Sequence, residues 1–248
     1  MTAAPPPGPN GVSTTVLALR RLPTRLRRVG YRSWLRLRYA AAIQLSRPTQ
    51  KLVDEYFRAL PDVYRIARNG DARFDAIVRA VQENVGECFS ILDISCHEGY
   101  ALRYMAARLA APSVVGLDLS GFALEKARDA CADLDGKFHQ FDLTKLYQAP
   151  DIALPVAQPC DVVLVSELLY YVGPRAHGLW SVANRDLGRK KAFIRALQCY
   201  AHKAVILQHF GKRERAAIDR VAKACAGRLV DEDWGIYILD GLAIRPAE

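Results

Sequence analysis

Five short apolar runs in this chain each end in residues that can do chemistry. ILDISCHEG carries Asp93 and a tight loop to Gly99. VVGLDLS carries Asp118, FHQFDL carries Asp142, VVLVSELL carries Ser166 and Glu167, and ILQHFG carries His209. A carboxylate at the end of a second strand can accept hydrogen bonds from both hydroxyls of a ribose. Asp142 can accept from an adenine amino group, with Phe141 or Leu143 against the ring. Three acids at three strand ends describe a site for an adenosine whose far end is not a pyrophosphate. A dinucleotide site uses G-x-G-x-x-G and aims a helix N-terminus at pyrophosphate. Here the spacing is S-x-H-x-G, with Glu98 close by. Glu98 would repel a pyrophosphate but tolerate a cationic ligand.

Those positions require a particular set of elements. Strands are expected at Phe89–Ile94, Ser113–Leu117, Lys137–Phe141, Asp161–Val165 and Ala204–Gln208, with strand-like runs at Arg228–Val230 and Gly235–Leu239. Between them lie helical stripes. Asp71 is expected to cap one with Phe74, Ile77, Val78 and Val81 inward, and Gly86 to end it. A second has Leu102, Met105, Ala106 and Leu109 on one face. Ser120 should cap a third, with Leu124, Ala127, Cys131 and Leu134 inward. Further helices are expected near Lys190–Tyr200 and around Ile218–Cys225. Alternating strands and amphipathic helices predict an α/β fold with a doubly wound, mostly parallel sheet. Ligands in such sheets bind outside the carboxyl ends of the strands.

Charge divides the chain. Of its 35 Lys/Arg, ten lie in residues 1–53, which hold none of the 26 acids; from Asp54 onward 25 bases face 26 acids. The formal +9 therefore lives in the N-terminal arm, and a basic body for gripping nucleic acid is absent. Residues 1–30 read as a disordered basic tail, Pro/Gly/Ser/Thr-rich at its start. Residues 31–70 read as a helical N-terminal cap, and residues 71–248 as the ligand-binding domain. Helix is expected over 16–45, broken near Pro23 and Gly30, and over 49–68 with a kink at Pro61; Tyr31, Trp34, Tyr39 and Tyr56 are placed to roof a pocket. Six cysteines lack C-x-x-C spacing, which argues against a zinc site and for a reduced, cytoplasmic setting. No apolar run reaches 18 residues, so no membrane span is expected.

ILDISCHEGY, VVGLDLSGFALEKAR, FHQFDL and CDVVLVSELLYYV, in this order and spacing, resemble the class I S-adenosylmethionine-dependent methyltransferases over residues 88–210. The resemblance implies a seven-stranded sheet and S-adenosyl-L-methionine as cofactor. It implies that the loop Asp93–Gly99, including Ser95, Cys96 and His97, wraps the methionine part. Asp118 with Leu119 would hold the ribose, Asp142 with Leu143 the adenine, and Ser166 would line the same site. The family usually has glycine where this chain has Ser95 and His97, although loops of the form G-C-N-E-G or G-C-H-x-G occur among relatives of wobble-uridine tRNA methyltransferases. SCHEG is accordingly expected to bind the cofactor. SELLYY is also similar to the matching stretch of nodulation-type N-methyltransferases that act on amino sugars.

Methyl transfer from a sulfonium has a neutral leaving group, so positioning supplies much of the rate. An alcohol or protonated amine acceptor also needs a base. Glu167 and His209, each at a strand end facing the cleft, are the catalytic candidates. Residues 173–189 form a long polar link expected to bind the acceptor. The expected acceptor is oxygen or nitrogen of a small molecule, in specialised or glycan metabolism. An RNA acceptor is the alternative favoured by the basic arm, and a non-catalytic binding protein is the alternative favoured by Ser95 and His97. No metal is expected.

Overall fold

The computed structural model describes residues 24–44, 49–60, 71–169, 187–209 and 215–242. In chain order these form α1 (Thr24–Gln44), α2 (Gln50–Ala59), α3 (Asp71–Asn84), β1 (Ser90–Ile94), α4 (Tyr100–Leu109), β2 (Ser113–Asp118), α5 (Gly121–Ala130) and β3 (Asp135–Gln140). There follow α6 (Leu143–Gln148), β4 (Cys160–Ser166), α7 (Leu187–Gln198), β5 (Ala201–Gln208), α8 (Arg215–Ala224), β6 (Arg228–Asp231) and β7 (Ile236–Asp240).

Seven strands make one sheet in the order β3-β2-β1-β4-β5-β7-β6. The first five are parallel, and β7 runs antiparallel to both β5 and β6. The sheet is covered on both faces, so its inner strands β1 and β4 are buried along nearly their whole length and carry aliphatics on both faces rather than at alternate positions. Ile91, Val162, Leu164, Ala204 and Ile206 face α3, α4 and α5, through Phe74, Ile77, Leu102, Met105 and Leu124. Their neighbours Leu92, Val163, Val165, Val205 and Leu207 face the opposite layer, where Phe193, Ile194 and Leu197 of α7 and Ile218 and Val221 of α8 pack. Burying each such side chain contributes about 1.5–3 kcal/mol. The pleat turns one run of aliphatics into two cores.

The helix ends follow local chemistry. Ser120 caps α5 by accepting from the Ala123 N–H at 3.1 Å. Gly86, at φ +78, closes α3 with its N–H on the Val81 carbonyl. α2 stops at Ala59, and Leu60 leaves the helical region immediately before Pro61, whose ring crowds a helical predecessor.

Several expectations change. α1 begins at Thr24 and runs unbroken through Gly30, so residues 24–30 are helix rather than disordered tail. A mid-helix glycine costs about 1 kcal/mol, and docking of Leu35, Trp34 and Tyr39 on α2 offsets it. Asp71 lies within α3 rather than capping it. β3 lies two residues earlier than expected at its start and ends before Phe141, because Asp142 opens α6, which the sequence pattern had not suggested. The expected kink at Pro61, residues 1–23 and most of the 173–189 link lie outside the described residues.

Candidate functional site

The carboxyl ends of β1, β2 and β4 lie side by side, with Asp93 paired in register with Gly116 and Leu164. After β1 the chain turns sharply back toward β2, and the Ser95 and Cys96 N–H groups both donate to the Leu117 carbonyl. That turn needs left-handed backbone. Ser95 is at φ +75, His97 at +52 and Gly99 at +76. The loop therefore keeps a conformation that glycine adopts freely while holding a serine and a histidine in it, at a cost of roughly 1–2 kcal/mol per residue. Small size alone does not make Ser95 an easy substitute, since the position requires positive φ. A Cβ on Gly99 would lie 2.9 Å from the Cα of Ala127. Gly99 is thus needed for close approach of α5.

Asp118 is buried, yet both its oxygens are engaged. Oδ2 accepts from the His97 N–H at 3.0 Å and Oδ1 from the Ser120 N–H at 2.8 Å. The Leu119 N–H also acts on this carboxylate, and the two oxygens' four lone-pair sites still leave room for a hydroxyl donor. Burial pushes Asp118 up to about 6 against these backbone donors, and pushes Asp93 up to about 7, with the Asp118 charge adding and Arg73 opposing. Two such carboxylates in one desolvated place favour a hydroxyl-rich or cationic ligand. Leu119 is half-buried, and its carbonyl accepts from Gln140 Nε2 at 2.8 Å.

Cys96 departs from its expected place. Its thiol is buried and turned into the core, where Sγ would sit 2.6 Å from a Cβ on Gly116. Burial and the carboxylates Asp118 and Asp93 push it well above the usual thiol range, so it is a packing group. Only its backbone belongs to the loop. Asp142 caps α6, its Oδ1 accepting from the Thr144 N–H at 3.0 Å and from Thr144 Oγ1 at 2.7 Å. Leu143 follows it and packs at the edge of the core.

A second cluster stands at the ends of β4 and β5. His209 is 2% exposed, and its Nδ1 lies 3.7 Å from Glu167 Oε2. Gln208, wholly buried, joins them: its Nε2 donates to Glu167 Oε1 at 3.2 Å and to the Trp234 carbonyl at 3.2 Å, while its Oε1 accepts from Ser166 Oγ at 2.7 Å. Glu167 sits at φ +53, another strained position at a strand end. The two residues expected as alternative bases are therefore one pair. Gln208 was missed, although its place before His209 in ILQHFG was a signal.

The N-terminal helices also reach the site. Asp54 Oδ1 accepts from the Phe122 N–H at 3.1 Å and from Ser120 Oγ at 2.5 Å, so α2 supplies a second cap to α5. Phe57 meets the His97 ring edge-on, with centroids 4.3 Å apart. Neither was foreseen, though Asp54 is the first acid in the chain. The aromatics expected to roof a pocket instead pack on one another. Tyr39 and Tyr56 stack at 3.9 Å, and Tyr31 lies against Trp34. Tyr170 and Tyr171 lie outside the described residues. Among the described residues no three His, Cys, Asp or Glu side chains are grouped to hold a metal.

The family model described as "Methyltransferase domain" matches residues 92–187, the stretch from β1 into α7 that carries the loop, Asp118, Asp142 and Glu167. Residues 92–187 form a methyltransferase domain, set in a seven-stranded sheet of the class I S-adenosylmethionine-dependent methyltransferase type. Solved structures share this fold. The N-methyltransferase NodS from Bradyrhizobium japonicum WM9, in complex with S-adenosyl-L-homocysteine, is 13% identical, with 77% of this chain and 96% of that chain covered at a TM-score of 0.54. Monomeric WbdD is 19% identical over 71% of this chain and 42% of that chain, TM-score 0.52. DesVI from Streptomyces venezuelae is 18% identical over 60% and 56%, TM-score 0.43. The chain thus spans about half the length of DesVI and of WbdD. Among curated proteins none matches the chain. In a methyltransferase domain the order of strands seen here puts the loop, Asp118 and Asp142 on one side of the switch between β1 and β4, and Glu167 with His209 on the other.

Proposed function

We propose that this methyltransferase domain binds S-adenosyl-L-methionine at the ends of β1, β2 and β3 and methylates oxygen or nitrogen of a small acceptor beside β4 and β5. The observation that carries the reading is the meeting of Glu167 and His209 at 3.7 Å, next to the acid-lined strand ends. The residues fit the cofactor: two buried carboxylates with raised pKa suit its hydroxyls and cationic end, and Asp142, the N-cap of α6 just after β3, is the proposed acceptor for the adenine amino group. When bound, the cofactor supplies an electrophilic methyl on a sulfonium. Asp118 orients the ribose. Ser95 to Gly99 and their backbone shape the methionine pocket. His209 takes the proton that an alcohol or ammonium acceptor must lose, and Glu167 holds the imidazole and stabilises its cationic form. The near neutrality of the chain from Asp54 onward supports a small acceptor over RNA. So does the N-methyltransferase NodS, which shares the architecture.

Calorimetry with S-adenosyl-L-homocysteine tests the first half, since a non-catalytic scaffold would give no heat. A panel of amino sugars and phenols with labelled cofactor tests the second. Label transferred to bulk tRNA and to none of the panel would overturn the small-molecule reading.

A further inference from the structure

Helix α1 has two unlike faces. Tyr31, Trp34, Leu35 and Tyr39 turn inward onto α2. The opposite arc carries Val29, 63% exposed, and Leu37, 72% exposed, together with exposed Arg32, Ser33 and Arg36. At 100° per residue these five positions share one side of the helix. Arg25 and Arg28 precede Arg32 by seven and four positions, at helical spacing.

The cations on the two faces differ as well. Arg38, near the inner face, lies over the Trp34 ring and 3.9 Å from Glu55. Among the described residues no carboxylate is within ion-pair distance of Arg32 or Arg36, and the chain offers no acid before Asp54. α1 has no stretch apolar enough to cross a membrane.

We propose that α1 is an interfacial helix that lays this outward face on an anionic phospholipid surface. Guanidinium groups beside exposed aliphatics match that surface: the cations meet the headgroups, and Val29 and Leu37 enter the acyl boundary. RNA is a poorer match. Single strands are held by aromatic stacking, and the aromatics of α1 are turned inward. Aliphatic side chains gain nothing from a phosphate backbone.

The test is co-sedimentation of the full chain with vesicles of phosphatidylcholine alone and of phosphatidylcholine mixed with phosphatidylglycerol, alongside filter binding to bulk tRNA. The variants are Arg32→Glu with Arg36→Glu, and Val29→Gln with Leu37→Gln. All four positions are exposed, so circular dichroism should show unchanged folding. Binding is expected to the anionic vesicles only, weakening in high salt. The charge reversal should reduce it by about tenfold or more, and the aliphatic pair by a few-fold. Absence of binding to anionic vesicles, equal binding to neutral ones, or indifference to the charge reversal would overturn the proposal. So would tRNA binding that the charge reversal abolishes and the aliphatic pair leaves intact, with vesicles binding no more tightly.

Discussion

The two halves of the site are built differently. At the ends of β1 and β2 the contacts that position Asp118 come from main-chain N–H groups, of His97 and Ser120. At the ends of β4 and β5 they come from side chains, with Gln208 tying Ser166 and Glu167 together next to His209. A backbone donor does not depend on the side chain that carries it. This is why a loop with serine and histidine in place of glycine keeps its shape, provided left-handed φ is tolerated. A side-chain network has no such latitude. The first half should therefore bend under substitution and the second should break.

The largest effect is expected at His209. His209→Ala should lower turnover by about 10²–10⁴-fold while leaving cofactor affinity unchanged by calorimetry. Retained turnover would make positioning alone the source of rate and remove the contrast between the halves. Glu167→Gln should cost less and shift the pH profile, since it alters the partner of the imidazole rather than the base itself.

At the other half, Asp118→Ala should weaken S-adenosyl-L-homocysteine by about 1.5–3 kcal/mol, the loss of charged hydrogen bonds to the ribose. Titration calorimetry reads this directly. A variant that binds as tightly as the parent refutes the ribose assignment.

Acidity gives a third handle. Asp93 and Asp118 sit near 7 and 6 in the folded chain against an ordinary 3.8. Between about 4 and 7 the folded state thus binds more protons than the unfolded one, and stability contributed by the pair falls as pH rises through that window. Melting of the free protein should show the decline, and Asp93→Asn should flatten it. Cofactor affinity should rise over the same range, because the ligand favours the ionised carboxylates. A pH-independent affinity would detach the acids from the ligand.

The smallest effect concerns strain. Ser95→Gly removes a side chain from φ +75 and should stabilise the fold by roughly 1 kcal/mol, as read from denaturant unfolding, with cofactor binding preserved. Destabilisation would mean that the serine side chain supports the loop.

Periodicity and spacing determined much of this protein by themselves. The alternation of strands and helices, the doubly wound sheet, the Ser120 cap and the placing of Asp93, Asp118 and Glu167 at strand ends are local signals, and short-range sterics and burial enforce them. The charge break at Asp54 is equally plain in the chain. Other features needed the tertiary structure, because they depend on partners distant in sequence. Asp54 caps a helix that begins 67 residues later, at Gly121. Phe57 meets the loop edge-on through the His97 ring. Cys96 turns inward because Gly116 of the neighbouring strand leaves it room. Gly30 stays helical because the aromatic face of α1 has α2 to dock on. Glu167 and His209, 42 positions apart, become one pair only when β4 and β5 lie side by side in register. The sequence could name each as a base, but an acid–imidazole pair is a property of the distance between them, and that distance is set by the sheet.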